Sequence, residues 1–256
     1  MITVKPVRAF NDNYIWLLQR AGDPRCVVVD PGDATPVLLA LAEQGLELST
    51  ILLTHHHGDH TGGVRELLSH GPVPVYGPAG ESIPEVTQPL REGDTVSLPE
   101  LDLELGVFDV PGHTAGHIAY YGGGMLFCGD TLFAGGCGRL FEGTPAQMYQ
   151  SLEKLASLPE DTRVYCAHEY TLANLRFALK VDPDNRRLQD RVSEVETLRA
   201  ADECTLPSTI GEERQTNPFL RSGDSSVKQH AESWAGERFT DPVEVFAAVR
   251  AWKDAG

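Results

Sequence analysis

Nothing in the chain stays apolar for long enough to cross a bilayer. No run approaches the ~18 residues a spanning helix needs, and the opening MITVKPVRAF has no apolar signal segment. The expected compartment is the cytoplasm, with no membrane as partner. Cysteine is sparse and forms no pattern. The five present (Cys26, Cys128, Cys137, Cys166 and Cys204) are odd in number and make no C-x-x-C pair, which argues against a disulfide framework and a thiolate zinc site. Cys26, Cys128 and Cys166 lie in apolar runs and are expected to fill core space, whereas Cys137, in a glycine-rich loop, is expected at the surface. Positive charge is short as well. With 21 Lys and Arg against 37 Asp and Glu, the net charge of −16 repels nucleic acid and anionic membranes. An anionic small molecule would need a local cluster of Arg and Lys. No repeat, no low-complexity tract and no apolar stretch that would force a dimer is visible, so a monomer is expected. What is there, 256 residues with 41% hydrophobic content, suffices for one large domain or one domain with an appendage.

The stretch THHHGDHTGG at 54 to 63 dominates the reading. His55, His57, Asp59 and His60 form His-x-His-x-Asp-His directly after the apolar run Ile51-Leu52-Leu53. Burying such a cluster without partners costs several kcal/mol, on the order of 2–7 per polar group, so it belongs at a solvated cleft or on a metal. A strand running into a tight loop aims alternate side chains at one point, and imidazole with carboxylate suits zinc, iron or manganese. His56 then points away.

The same design recurs along the chain. Val107 to Val110 leads into PGHTAGH with His113 and His117, Met125 to Cys128 into Gly129-Asp130-Thr131, and Val164 to Ala167 into His168-Glu169-Tyr170. Strands that finish on His or Asp are expected where strand-end loops assemble one site. Around them, strands are expected at 14–18, 26–29, 49–53 and 101–105, the last by its alternation. A helix follows Asp30-Pro31-Gly32-Asp33, with Thr35 as N-cap, Pro36 at its first position and Gly45 closing it; Gly63 to Ser69 makes one or two helical turns. Thr144-Pro145-Ala146-Gln147 is a capping-box start for a helix whose apolar face is Met148, Leu152 and Leu155. Past Tyr170 the pattern is helical: 172–181, 185–200, a loop over 205–221, and a last helix capped at Asp241 and ending near Lys253. No strand pattern is evident there. A boundary near 170 is expected.

With THHHGDHTGG, PGHTAGH, FCGDTLF and AHEYT in this order, the chain resembles the metallo-β-lactamase superfamily. GGCGRLFEGT at 135–144, AHEYTLANLRFAL at 167–179 and NPFLR at 217–221 narrow the resemblance to the glyoxalase II, or hydroxyacylglutathione hydrolase, family. The resemblance implies a four-layered αββα sandwich over 1–170 and an all-helical C-terminal domain over 171–256 that contributes to glutathione binding. It also implies two divalent metal ions, zinc first, with iron or manganese as alternatives. His55, His57 and His113 would hold one, Asp59, His60 and His168 the other, and Asp130 would bridge them. Asp59 and Asp130 thereby become catalytic, because a metal pair lowers the pKa of a bridging water from about 15.7 towards 7.

The substrate implied is a glutathione thioester of a 2-hydroxy acid, typically S-D-lactoylglutathione made from methylglyoxal. Its thiolate leaves at neutral pH without a dedicated general acid. Arg139, Phe141, His168, Tyr170, Asn174, Arg250 and Lys253 match substrate-binding positions. Phe141 stands where Tyr is common, and Arg139 replaces Lys, keeping charge but changing geometry. His117 is expected to steady the His113 loop, and His70 and His230 to lie at the surface. Two other readings share the first motif: another enzyme of the superfamily, such as a lactonase, β-lactamase or persulfide dioxygenase, and a non-catalytic metal-binding regulatory module.

Overall fold

The computed structural model describes residues 1–256 and divides into two compact units. The first comprises Met1–Asp109 with Ala115–Gly129, the second Val110–Thr114 with Asp130–Gly256.

The first unit runs β1 (Ile2–Ala9), β2 (Asn13–Arg20), β3 (Arg25–Val29), α1 (Ala34–Gln44), β4 (Glu47–Leu52), the single turn α2 (Gly58–Thr61), α3 (Val64–His70), β5 (Val75–Pro78), β6 (Gln88–Leu90), β7 (Thr95–Leu98), β8 (Leu103–Asp109), β9 (Ile118–Gly122) and β10 (Met125–Gly129). One sheet has the order β1-β2-β3-β4-β5-β6. Its start is an antiparallel meander, with Ala9 opposite Asn13, and β3 to β6 pair in parallel. The near-continuous apolar runs of β2 and β3 follow from that position, since strands covered on both faces cannot alternate. Val37 and Leu41 of α1 and Val64 and Leu67 of α3 close a core over Ile15, Leu17, Cys26, Val28, Ile51 and Leu53. Strands β7 to β10 form an antiparallel run in which β7 alternates exposed and buried residues.

Helix α1 differs from expectation at its start. Asp33, not Thr35, is the N-cap, and its carboxylate accepts the Thr35 N–H at 2.9 Å. The carboxylate sits one residue before the helix, which leaves Pro36 in the first turn, where a missing N–H costs nothing. Gly45 closes the helix in the left-handed region, φ +63°.

The second unit contains the hairpin β11 (Leu132–Phe133) with β12 (Gly136–Cys137), then α4 (Pro145–Ala156), β13 (Arg163–Cys166), α5 (Thr171–Val181), α6 (Arg186–Ala200), β14 (Ser208–Thr209), α7 (Ile210–Thr216), α8 (Ser225–Ala235) and α9 (Pro242–Asp254). The capping box at Thr144 forms as expected, and Asp241 with Glu244 makes a second one ahead of α9. Leu175 and Ala178 of α5 pack on Leu188, Val192 and Val195 of α6. Phe219 lies between Phe177 and Phe246, with ring centroids at 6.3 and 5.6 Å. The expected 205–221 loop instead holds β14, which pairs with β13, and the helix α7. No helix is long and apolar enough to cross a membrane.

Candidate active site

In the first unit, β4 and the two residues after it deliver His55, and α2 turns Asp59 and His60 back alongside it. His55 Nε2 and His57 Nδ1 are 3.1 Å apart, and His60 Nε2 is 3.5 Å from Asp59 Oδ2. The rings of His55 and His60 lie 4.1 Å apart. His56 does turn aside, to Glu81 Oε2 at 3.0 Å. His117 stacks on His55 at 4.6 Å and is held by its Nδ1–H donating to Ile118 O at 3.0 Å.

Two supports here were not singled out from the sequence. Asp30, with φ +52°, accepts the His60 Nδ1–H at 3.0 Å on Oδ2, and takes the Thr54 Oγ1–H (2.7 Å) and N–H (2.8 Å) as well. Asn13 Nδ2 donates to Asp59 Oδ2 at 3.0 Å. Asp30 follows the apolar run Val27-Val28-Val29 just as the other site residues follow theirs, a signal masked by the turn sequence Asp30-Pro31-Gly32-Asp33 that it opens.

In the second unit Asp130 lies between two imidazoles. Its Oδ2 is 3.4 Å from His113 Nε2 and its Oδ1 is 3.4 Å from His168 Nε2. His113 Nδ1–H donates to the Arg139 carbonyl at 2.7 Å, and Tyr170 stacks on His168 at 4.6 Å with the planes 6° apart. A Cβ at Gly138 would sit 1.9 Å from Asp130 O, so only glycine lets this loop pass so close to the carboxylate's backbone.

The donor chemistry fits divalent ions. A carbonyl can only accept, so His113 carries its ring proton on Nδ1. In the neutral ring Nε2 then presents a lone pair to a carboxylate oxygen. His60 repeats the arrangement, with Nδ1–H on Asp30 and Nε2 towards Asp59. Two acceptors 3.4–3.5 Å apart repel each other unless a cation lies between them. Metal–ligand bonds of about 2.0–2.2 Å at a tetrahedral centre put neighbouring donors about 3.3–3.6 Å apart, matching this spacing. Histidine and aspartate groups of the kind that hold a metal ion are therefore present.

Cationic residues gather in the same unit. Buried Arg250, 6% exposed, donates from Nη1 to Cys137 O at 3.1 Å and from Nη2 to Asp254 Oδ1 at 3.0 Å. Lys253 Nζ donates to Asn174 Oδ1 and lies 5.8 Å from the ring centres of Phe177 and Phe219. Burial, and after it the neighbouring Arg250 charge, pulls the Lys253 pKa down to about 8. Asn174 Nδ2 in turn donates to Ala134 O at 3.0 Å. Arg139 reaches Asp254 Oδ1 at 3.7 Å and lies over the exposed Phe141 ring, which also meets His113 edge-on at 5.2 Å.

Cys137 corrects the expectation of exposure. It is buried under Arg250, and burial raises its pKa despite the adjacent cations. Also unforeseen is the buried Glu213. It accepts the Gly135 N–H at 2.7 Å and Asn217 Nδ2–H at 3.0 Å, while Asn217 donates to Phe133 O and Gly136 O. Helix α7 and the residue after it thus hold the β11–β12 hairpin.

Comparison with known proteins adds a consistent picture. The family model described as the metallo-beta-lactamase superfamily matches residues 9–168, and that of the hydroxyacylglutathione hydrolase C-terminus matches 169–256. Proteins named hydroxyacylglutathione hydrolase are similar over the full length. That of Alkalilimnicola ehrlichii is 60% identical over 99% of both chains, and that of Nitrosomonas europaea is 57% identical over 99% of this chain and 96% of the relative. Among solved structures, TTHA1623 in a di-iron-bound form superposes with a TM-score of 0.60 at 30% identity, covering 85% of this chain and all of that one. The architecture is the αββα metallo-β-lactamase fold with a helical C-terminal region.

Proposed function

The chain belongs to the hydroxyacylglutathione hydrolase family, and from that premise we propose how its side chains divide the work of hydrolysing a glutathione thioester. It is an enzyme of the thioester hydrolase type. The acyl group we assign is a 2-hydroxy acid, D-lactate in the first instance, so that the reaction is the second step of methylglyoxal detoxification.

We assign His55, His57 and His113 to one divalent ion, Asp59, His60 and His168 to another, and Asp130 to both. Such a pair, when bound, supplies a Lewis acid for the thioester carbonyl and an activated water to attack it. Zinc is the first candidate, and the di-iron form of TTHA1623 makes iron the next. The observation that carries the reading is Asp130, which directs each of its two oxygens to a different imidazole at 3.4 Å, an arrangement that suits a ligand shared by two ions.

The remaining residues bind and orient. Asp30 and Asn13 fix His60 and Asp59, so that Nε2 and the carboxylate keep their direction without reorganisation. Arg139, Arg250 and Lys253 receive the carboxylates of glutathione, with Asn174 setting the position of the ammonium and Tyr170, His168 and Phe141 lining the approach. A thiolate leaving group, with a conjugate-acid pKa of about 8.5, departs without a proton donor. We further propose residues 1–170 as the catalytic domain and 171–256 as the helical domain contributing to glutathione binding, in a cytoplasmic monomer. All five cysteines are free thiols, which supports a reducing compartment.

The test is hydrolysis of S-D-lactoylglutathione by protein whose metal has been counted, before and after chelation and again after adding back zinc, iron or manganese. Turnover should vanish with the metal and return with it. Full activity in metal-free protein, or none in fully loaded protein, would sink the reading.

A further inference from the structure

The cationic cluster of the second unit contains one carboxylate of its own. Asp254, in the last turn of α9, places Oδ1 3.0 Å from Arg250 Nη2 and 3.7 Å from Arg139 Nε. Helix energetics give no reason for it. An acid in the last turn faces the negative end of the helix dipole, and with the cation four residues before the acid, the pair runs in the less favourable direction. The geometry is also poor for a structural clamp. A single oxygen serves both guanidinium groups, instead of two oxygens meeting one fork, and the side chain is 34% exposed. It is a bond that an incoming carboxylate, able to take the fork with both oxygens, can replace.

We propose that Asp254 is a built-in competitor: its carboxylate occupies the seat on Arg250 and Arg139 that the glycine carboxylate of the glutathione moiety takes, and it is displaced when substrate binds. This rests on the assignment of Arg139, Arg250 and Lys253 as the carboxylate-binding cations. The arrangement has two consequences. The buried Arg250 is never left with its charge uncompensated in the free enzyme, which avoids the cost of an unpaired buried ion. The displaced carboxylate also weakens the hold on free glutathione, so the product leaves instead of accumulating on the enzyme.

The test compares wild type with Asp254→Asn, which keeps the oxygen acceptor for Arg250 and deletes only the charge, and with Asp254→Ala, which deletes both. Three ligands are measured: S-D-lactoylglutathione by KM, glutathione by calorimetric Kd, and glutathione with its glycyl carboxylate converted to an amide. Work at pH 6.5 stays well below the Lys253 pKa of about 8 in the wild type, leaving a margin for the downward shift that loss of the Asp254 charge brings. Both variants should bind the two carboxylate ligands more tightly, by roughly two- to five-fold for loss of a partly exposed ion pair, and leave the amide unchanged. Weaker binding in Asp254→Asn would mean that the carboxylate positions the arginines, and an equal gain for the amide would mean a diffuse field effect. Either result overturns the proposal. If wild type itself fails to bind glutathione, the assignment of the cations falls and takes this inference with it, a failure seen in a different sample from the other two.

Discussion

Asp130 and Lys253 are the side chains on which the chemistry can be tested one atom at a time. Asp130→Asn keeps the shape but replaces one oxygen by an amide nitrogen that cannot ligate and leaves the other oxygen uncharged, so one of the two directions to His113 and His168 is lost and the other weakened. Metal content should fall below two per chain, and turnover by at least about 100-fold, since even an outer-sphere change at such sites costs 10- to 100-fold. Two retained metals at full rate would remove Asp130 from its role. Lys253 sets a pH dependence. Burial and Arg250 lower its pKa to about 8, so the ammonium is present below that value and lost as pH rises through it. A carboxylate ligand favours the charged form and moves the midpoint upward in the complex. The kcat/KM profile, which reports the free enzyme, should therefore fall above about pH 8 while kcat falls later, and Lys253→Arg should erase the early limb. Persistence of that limb in the arginine variant would assign it to another group. At this scale the sequence was informative wherever an apolar run ended on His or Asp. It misled at Cys137, because a glycine-rich stretch usually marks an exposed loop, and here the missing side chains let the loop pass beneath Arg250 and beside Asn174.

Among the elements, the β11–β12 hairpin and the loop after it carry most of the site's precision in the second unit. The loop's backbone accepts from His113 through Arg139 O, and the hairpin's from Arg250 through Cys137 O. Gly138→Ala would place a methyl 1.9 Å from Asp130 O and 3.1 Å from His113 Nδ1, so the loop must shift. Activity should drop by about 100-fold, as ligand displacements on the scale of 1 Å do, with metal affinity falling in parallel. Wild-type metal content and rate in that variant would show that the loop is free to move. Helix α9 carries the proposed binding role instead. On that assignment Arg250→Ala should raise KM more than it lowers kcat, because the guanidinium would hold a part of the substrate that does not change charge in the reaction. A pure kcat defect would place Arg250 in the chemistry. Helices α4 and α9 were legible from their capping boxes, and α1 from Gly45, whereas α7 was not. Its buried Glu213 breaks the apolar periodicity, and the reason a carboxylate stands there, the Gly135 N–H on the hairpin, is 78 residues away in sequence. Strand β14 is two residues long and owes its existence to β13, a pairing that no local pattern encodes.

For the molecule as a whole, layering and sheet order were not legible in hydrophobic periodicity, because strands such as β3, β4 and β5 pair in parallel across intervening helices, and the pattern of each strand is the same whichever neighbour it takes. They came from resemblance to a family. The free energy of metal binding is a property of the same scale. The seven proposed ligands lie between residues 55 and 168, and an unfolded chain cannot bring them together, so ions bind the native state only. By mass action each site then adds about 4 kcal/mol of stability when free metal stands at 1,000 times its dissociation constant. Urea unfolding followed by tryptophan fluorescence should accordingly show a midpoint that falls on chelation and recovers when metal is restored, with an unchanged slope because the native surface buried is the same. The shift should shrink in Asp130→Asn, which weakens both sites, and remain in Arg250→Ala, which weakens neither. A midpoint indifferent to chelator would mean that these imidazoles and carboxylates hold no ion at working concentrations, however well their spacing suits one. A shift of equal size in Asp130→Asn and wild type would place the stabilising ion elsewhere on the chain.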